Sequence, residues 1–136
     1  MKKKAVEIGE IVLIPAGAIY VPAKVLYRSN YYTDHILLGL LKQAVPAQHM
    51  PRELSVEIAQ QVYTSQEPIL KGRWHSVGHQ SLLPQQVGLA KRIVGGEVWF
   101  EDQCLGPATE VDFKSLPKMQ GLGAALVEKR ATALLA

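Results

Sequence analysis

The chain alternates short apolar runs with breaks marked by glycine, proline or polar residues. Ile11-Val12-Leu13-Ile14, closed by Pro15, is a β-branched run of strand length, and Pro15-Ala16-Gly17-Ala18 reads as the turn after it. Tyr20 to Arg28 predicts a second strand, in which Pro22 is tolerable only at an edge or a bulge. A polar, aromatic loop at 29–34 leads to a third apolar run, His35 to Leu41. Two strands joined by a short turn, then a third after a longer loop, resemble the opening meander of a small barrel or curled sheet.

Residues 42–51 carry Pro46 and Pro51 and read as a connector. Over 52–62 two periods compete. Leu54, Ile58 and Val62 fit a helical stripe, Leu54, Val56 and Ile58 fit a strand, and the Pro51-Arg52-Glu53 start favours a short helix. Val62-Tyr63-Thr64-Ser65 can pair in the sheet. Residues 68–79 hold one of the two tryptophans and two of the four histidines. This stretch reads as a strand through Ile69 and Leu70, a bend at Gly72 and a second short strand closed by Val77-Gly78. Gly72, Trp74 and Gly78 are its structural anchors, and the Trp74 indole N–H requires a partner once buried. Gly95-Gly96 predicts a hairpin between strands at 91–94 and 97–101, with Val98 and Phe100 on one face and Trp99 on the other. Residues 102–107 read as a turn and 108–113 as a short extended piece. Residues 120–135 are the clearest helix, with Leu122, Leu126 and Ala133 in helical step and Glu128 facing water. The predicted fold is α+β: a mainly antiparallel, curled or barrel-like β-sheet covered by a C-terminal α-helix, in a single domain over 1–136 with residues 1–5 as a frayed basic tip.

Composition sharpens this in three places. With 136 residues, 48% hydrophobic and 20% charged, the chain can build one core without disulfide or metal staples. The net charge of +3 belongs to Lys2, Lys3 and Lys4, since the remaining 12 basic residues match 12 acidic ones. The body is therefore neutral overall, which counts against nucleic acid as a partner. Glu7 and Glu10 interrupt any export signal and the apolar runs are too short to cross a bilayer, so a cytoplasmic protein with no membrane partner is expected.

Catalytic chemistry finds little footing. Cys104, the one cysteine, reads as a small semi-buried hydrophobe. His75 and His79 in a strand share a face about 13 Å apart, too far for one metal. Glu97, Glu101 and Asp102 read as a solvated hairpin edge, and neither a nucleophile motif nor a phosphate-cradling loop is present. No catalytic residue, cofactor or metal site is predicted. Tyr20, Tyr27, Tyr31 and Tyr32 with Lys24 and Arg28 can stack bases and neutralise phosphates in a barrel-like module for single-stranded nucleic acid. An aromatic loop of this kind serves a protein partner equally well.

Four stretches carry a family resemblance: Gly9-Glu10-Ile11-Val12-Leu13-Ile14-Pro15, Ala23-Lys24-Val25-Leu26, Gly72-Arg73-Trp74-x-x-Val77-Gly78, and Ala108-Thr109-Glu110 through Leu116-Pro117 into the terminal helix. In these the chain resembles immunity protein family 26, inhibitors found in bacterial polymorphic-toxin and contact-dependent growth inhibition systems. Residues 29–62 lie outside the likeness, and the family's polar glycine turn after the first strand appears here only as Ala16-Gly17-Ala18. The resemblance implies a sheet-rich α+β fold, no enzymatic activity, and tight stoichiometric binding to one cognate toxin domain. Chemical type and expected exposure place the toxin contacts at Arg28, Tyr31 and Tyr32 in the aromatic loop and at Trp99, Glu101 and Asp102 at the hairpin end.

Overall fold

A computed structural model describes residues 6–29, 34–119 and 121–135, so the lysine tip and the Tyr31-Tyr32 pair lie outside the described residues. The chain runs β1 (Glu10–Ala16), β2 (Ile19–Arg28), β3 (His35–Leu41), β4 (Ile58–Ser65), α1 (Glu67–Leu70), β5 (His75–His79), a 3-10 turn (Pro84–Gln86), β6 (Lys91–Val94), β7 (Glu97–Phe100), β8 (Gln103–Pro107), α2 (Glu110–Ser115), β9 (Gly121–Leu122) and α3 (Ala124–Leu134). Six strands form one sheet in the order β5-β1-β2-β3-β4-β9, antiparallel except where β9 joins β4. The second sheet is the antiparallel β6-β7-β8. The fold is α+β and mostly antiparallel with a C-terminal helix, as expected, but the sheet is open. Its edges β5 and β9 do not pair, and a separate small sheet packs against one face.

The central strands are apolar on both faces. Val12, Ile14, Val21, Ala23, Val25, Ile36, Leu38 and Leu40 point to one side and pack beneath Val127 and Ala131 of α3. Strand alternation turns Ile11, Leu13 and Leu37 to the other side, where Leu37 joins Leu26, Tyr27, Tyr63 and Ala90. Burial on both faces explains why β1 and β3 read as continuous apolar runs. Pro22 is tolerated in β2 because the β3 ladder has ended at Ala23, and its partner Leu13 lies in β1.

Several local expectations change. Residues 52–57 form neither helix nor strand, and the sheet continues from Ile58, where pairing with β3 overrides the helical stripe. Ile69 and Leu70 belong to the single turn α1, opened by Pro68, and not to a strand. Residues 103–107 are strand β8, and residues 110–115 are helix α2, where Thr109 caps the first turn by accepting from the Asp112 N–H while Asp112 reaches back to the Thr109 N–H. In α3 the buried face is Val127 and Ala131, while Leu126 and Ala133 face solvent.

Trp74 is fully buried at the helix-covered face, as its size leads one to expect. Gly72 bends the chain into it at φ +82, a left-handed conformation that strains any side chain. Gly78 leaves room for Met50, whose sulfur would sit 3.0 Å from an added Cβ. Glu128 does not simply face water. One of its carboxylate oxygens accepts the Trp74 indole N–H at 2.9 Å, and both accept from the Arg73 guanidinium at 2.8 Å. The Arg73 bond holds the Glu128 carboxyl below its ordinary value, burial opposes this, and the Trp74 bond adds to it.

Glu128→Ala leaves the buried indole N–H without an acceptor and is expected to cost about 1–3 kcal/mol in denaturant unfolding, with Glu128→Gln milder because its amide oxygen still accepts. Because folding depresses this carboxyl, its contribution is complete above the ordinary glutamate value of 4.5 and is lost as pH falls below it. Wild-type stability is therefore expected to drop more steeply than that of Glu128→Gln in acid; parallel curves would contradict the assignment.

Candidate binding surface

Arg92 seats the small sheet on the large one. Tyr27 pairs with Leu37 and Leu37 with Tyr63 across β2, β3 and β4, so the two phenol rings flank one leucine in a single row. The fully buried Arg92 guanidinium lies over this row, 5.5 Å from the Tyr27 ring centroid and 5.7 Å from that of Tyr63. Guanidinium remains charged in folded proteins, and each desolvated cation–π contact contributes on the order of 1–2 kcal/mol. Its Nη1 donates to the carbonyls of Ala90, at 3.0 Å, and Glu101. Nε and Nη2 are buried without a hydrogen-bond partner.

The second attachment is Asp102, whose Oδ1 accepts from the Tyr27 hydroxyl and from Ser29 Oγ at 2.7 Å. The base of the aromatic loop and the hairpin end, distant in sequence, are thus brought together. Burial, reinforced by the Asp102 bond, pushes the Tyr27 phenol up to about 12; burial does the same for Tyr63, against the opposing charge of Arg92. Asp102 is half-buried as a latch. Glu101 turns at φ +54 with its side chain exposed, and Trp99 is half-buried in β7 between Arg92 and Cys104. Arg28 is half-buried at the other end, its Nη1 3.4 Å from the Val6 carbonyl, beside a cavity of about 260 Å³. Two expected base-stacking or phosphate-facing residues are not at the surface. Tyr27 is covered, and Lys24 is fully buried, donating to Gln80, the Ser81 carbonyl and Gln86 at 2.9, 2.9 and 2.6 Å. Burial lowers the Lys24 ammonium from its ordinary value.

Beyond the latch, the small sheet ends in β8, bonded only to β7 among the described strands. Leu105 on this edge is 52% exposed, and Val111 and Phe113 on α2 are 71% and 47% exposed. Residues 97–112 contain Glu97, Glu101, Asp102, Glu110 and Asp112 and no lysine or arginine. The rest of the chain therefore holds 15 basic residues against 7 acidic ones, 12 less these 5. The bonds from the Thr109 backbone and side chain keep the Asp112 carboxyl below its ordinary value, and so ionised at neutral pH. Cys104 is exposed, not semi-buried; its thiol donates to Glu97 at 3.2 Å, which raises it from its ordinary value. Sequence reading missed Leu105, Val111 and Phe113, because the segment was taken as turn and extended chain; the exposed apolar groups follow only from its strand–helix geometry.

His75 and His79 are both exposed on β5, and His79 Nε2 lies 3.0 Å from the Ile8 carbonyl. Among the described residues no group of three His, Cys, Asp or Glu side chains is placed to hold a metal ion, and no helix is long and apolar enough to cross a membrane. In comparisons with protein-family models, curated proteins and solved structures, nothing matches the chain.

Tyr27→Phe keeps the ring on Arg92 and loses only the Asp102 bond, which is expected to cost about 1 kcal/mol, whereas Tyr27→Ala removes the ring as well and should cost about 3–5 kcal/mol. Equal losses would mean that the ring contact contributes nothing. Folding favours the protonated phenols of Tyr27 and Tyr63, so that part of the stability is complete below the ordinary value of 10.0 and disappears as pH climbs toward about 12. Ultraviolet titration of the folded protein should show two phenols titrating near 12.

Proposed function

We propose that the chain is an immunity-type protein that binds one bacterial toxin domain stoichiometrically and neutralises it without catalysis. The observation that carries this reading is the outer end of the small sheet, where an edge strand and a capped helix present exposed Leu105, Val111 and Phe113 among five carboxylates. Apolar anchors in a mainly acidic setting, broken by Lys114 of α2, suit a protein partner of opposite charge, because the anchors supply affinity and the field supplies encounter rate and orientation. A standard interface of roughly 1,600 Å² needs about half that area from each partner, within reach of a surface built from β7, β8 and α2. Exposed Glu101 and half-buried Trp99 belong to this surface. Asp102 acts beneath it by holding the turn to Tyr27 and Ser29. The resemblance to immunity protein family 26 supports the same reading. The partner face is a basic one, as at the substrate site of an enzyme that acts on polyanions.

The test is co-expression with the C-terminal domain encoded by the neighbouring gene, read by pull-down, growth rescue and titration. A one-to-one complex is expected, weakened about tenfold or more by Leu105→Asp or Phe113→Ala and left intact by Lys71→Ala just after α1. Glu101→Lys should slow association and flatten its dependence on salt. A complex indifferent to all three changes would place the interface elsewhere, and no complex with no rescue would end the immunity reading.

A further inference from the structure

The opposite side of the small sheet carries chemistry that the proposed partner surface does not use. Between β4, the segment at 117–119 and α3 lies a cleft of about 180 Å³, with Gln61 and Tyr63 on its β4 wall, Lys118 on the 117–119 segment and Arg130 on α3. It is built from pinned backbone. Tyr63 and Thr64 pair with Gly121 and Leu122, and Thr64 Oγ1 donates to the Leu122 carbonyl at 2.6 Å. On the other side Ile93 donates to the Pro117 carbonyl and accepts from the Met119 N–H, both at 2.8 Å.

Its polar groups are unmatched. The side-chain ion pairs among the described residues join Lys71 to Glu67 and Arg73 to Glu128, and neither Lys118 nor Arg130 takes part. Tyr63 is only 5% exposed, and its hydroxyl has no partner; the buried Gln61 Oε1 has none either. Arg92 lies against the Tyr63 ring with Nε and Nη2 unsatisfied. Among the described residues, the two cations of the lining, exposed Lys118 and half-buried Arg130, thus have no carboxylate bonded to them. An anion seated between two such cations would accept charge-assisted hydrogen bonds from both. The volume falls below the roughly 300–1,000 Å³ of sites for drug-sized ligands, which restricts the occupant to a compact group.

We propose that this cleft binds a compact oxyanion, a carboxylate or a phosphate, through Lys118 and Arg130, with Gln61 as the polar group on the β4 wall. Tyr63, backed by Arg92, keeps that wall rigid. The site is independent of the partner surface and of the immunity reading.

The test is an amide-resolved NMR titration of the full chain with inorganic phosphate and, separately, with acetate, at constant ionic strength. Saturable shifts confined to residues 61–64, 117–119 and the neighbourhood of 130 are expected. The Lys118→Gln/Arg130→Gln variant should weaken binding about tenfold or more, with the rest of its spectrum unchanged because both side chains sit outside the core. Lys71→Gln should bind as wild type. Saturation by phosphate alone assigns a tetrahedral oxyanion, and saturation by acetate alone assigns a carboxylate. No saturation by either up to about 50 mM, which corresponds to less than about 2 kcal/mol of binding, overturns the site. Shifts spread over all basic surfaces, or a double variant that binds like wild type, overturn it too.

Discussion

A six-stranded sheet whose central strands are apolar on both faces has to be covered twice, and the rest of the molecule follows from that requirement. Ile11 to Ile14 and Ile36 to Leu38 are buried without a break, so neither face of β1 or β3 can be left to water. The two covers are chemically different. On one face α3 lays Val127 and Ala131 over a wholly apolar layer, with Trp74 wedged at the end and tied to Glu128. The other face includes the cation Lys24, and its cover brings a second, Arg92 of β6, so the contact must supply acceptors as well as apolar area. Gln80, Ser81 and Gln86 do this for Lys24, while Ala90, Glu101 and the two tyrosine rings do it for Arg92. The stretch from 80 to 102 is held where it is by these demands.

That division also separates what the sequence made legible from what it hid. Strands at 11–15, 20–28 and 35–41, the Gly95-Gly96 hairpin and the terminal helix were readable because local chemistry and final structure agree there. Disagreement arose where a tertiary partner decided the outcome. Ile58 and Val62 carry a helical spacing, but β3 offers a ladder of backbone partners, and pairing prevails. Thr109 and Asp112 form a capping box, and this local signal for a helix prevails over the extended chain that 108–113 otherwise suggests. Even the face of α3 was misjudged by one position. Gly121 and Leu122 pair with β4, which delays the helix until Ala124 and rotates the buried stripe to Val127 and Ala131.

For the candidate site the lesson lies in Lys24. Flanked by Ala23 and Val25 in a strand buried on both sides, it had no route to solvent, and the continuous apolar runs around it already implied this. A lysine among tyrosines drew the eye toward phosphate, and burial turned it into a structural donor. Asp102 shows the same thing with the opposite sign: a carboxylate in a hairpin turn reads as solvated until the loop base delivers Tyr27 and Ser29 to it. Leu105 and Phe113 escaped notice for the converse reason. An apolar residue in a sequence is presumed buried, and only the geometry of an edge strand and a short helix shows that nothing described covers them.

Overall neutrality concealed a separation of charge across the small sheet. Its outer end, at 97–112, is purely acidic, while the 117–119 segment bonded to Ile93 leads to Lys118 and, across the cleft, Arg130. At physiological ionic strength the screening length is about 8 Å, so two such regions act on their surroundings as separate fields even when the total nearly cancels. The net charge of a chain therefore bears on solubility and says little about what any one face attracts. Arg92 sits between the two regions, its Nη1 holding the Glu101 carbonyl on the acidic side and its guanidinium backing Tyr63 on the cationic side. A single buried cation thus touches the backbone beside one region and the tyrosine wall of the other, so the relative placement of the two depends on it.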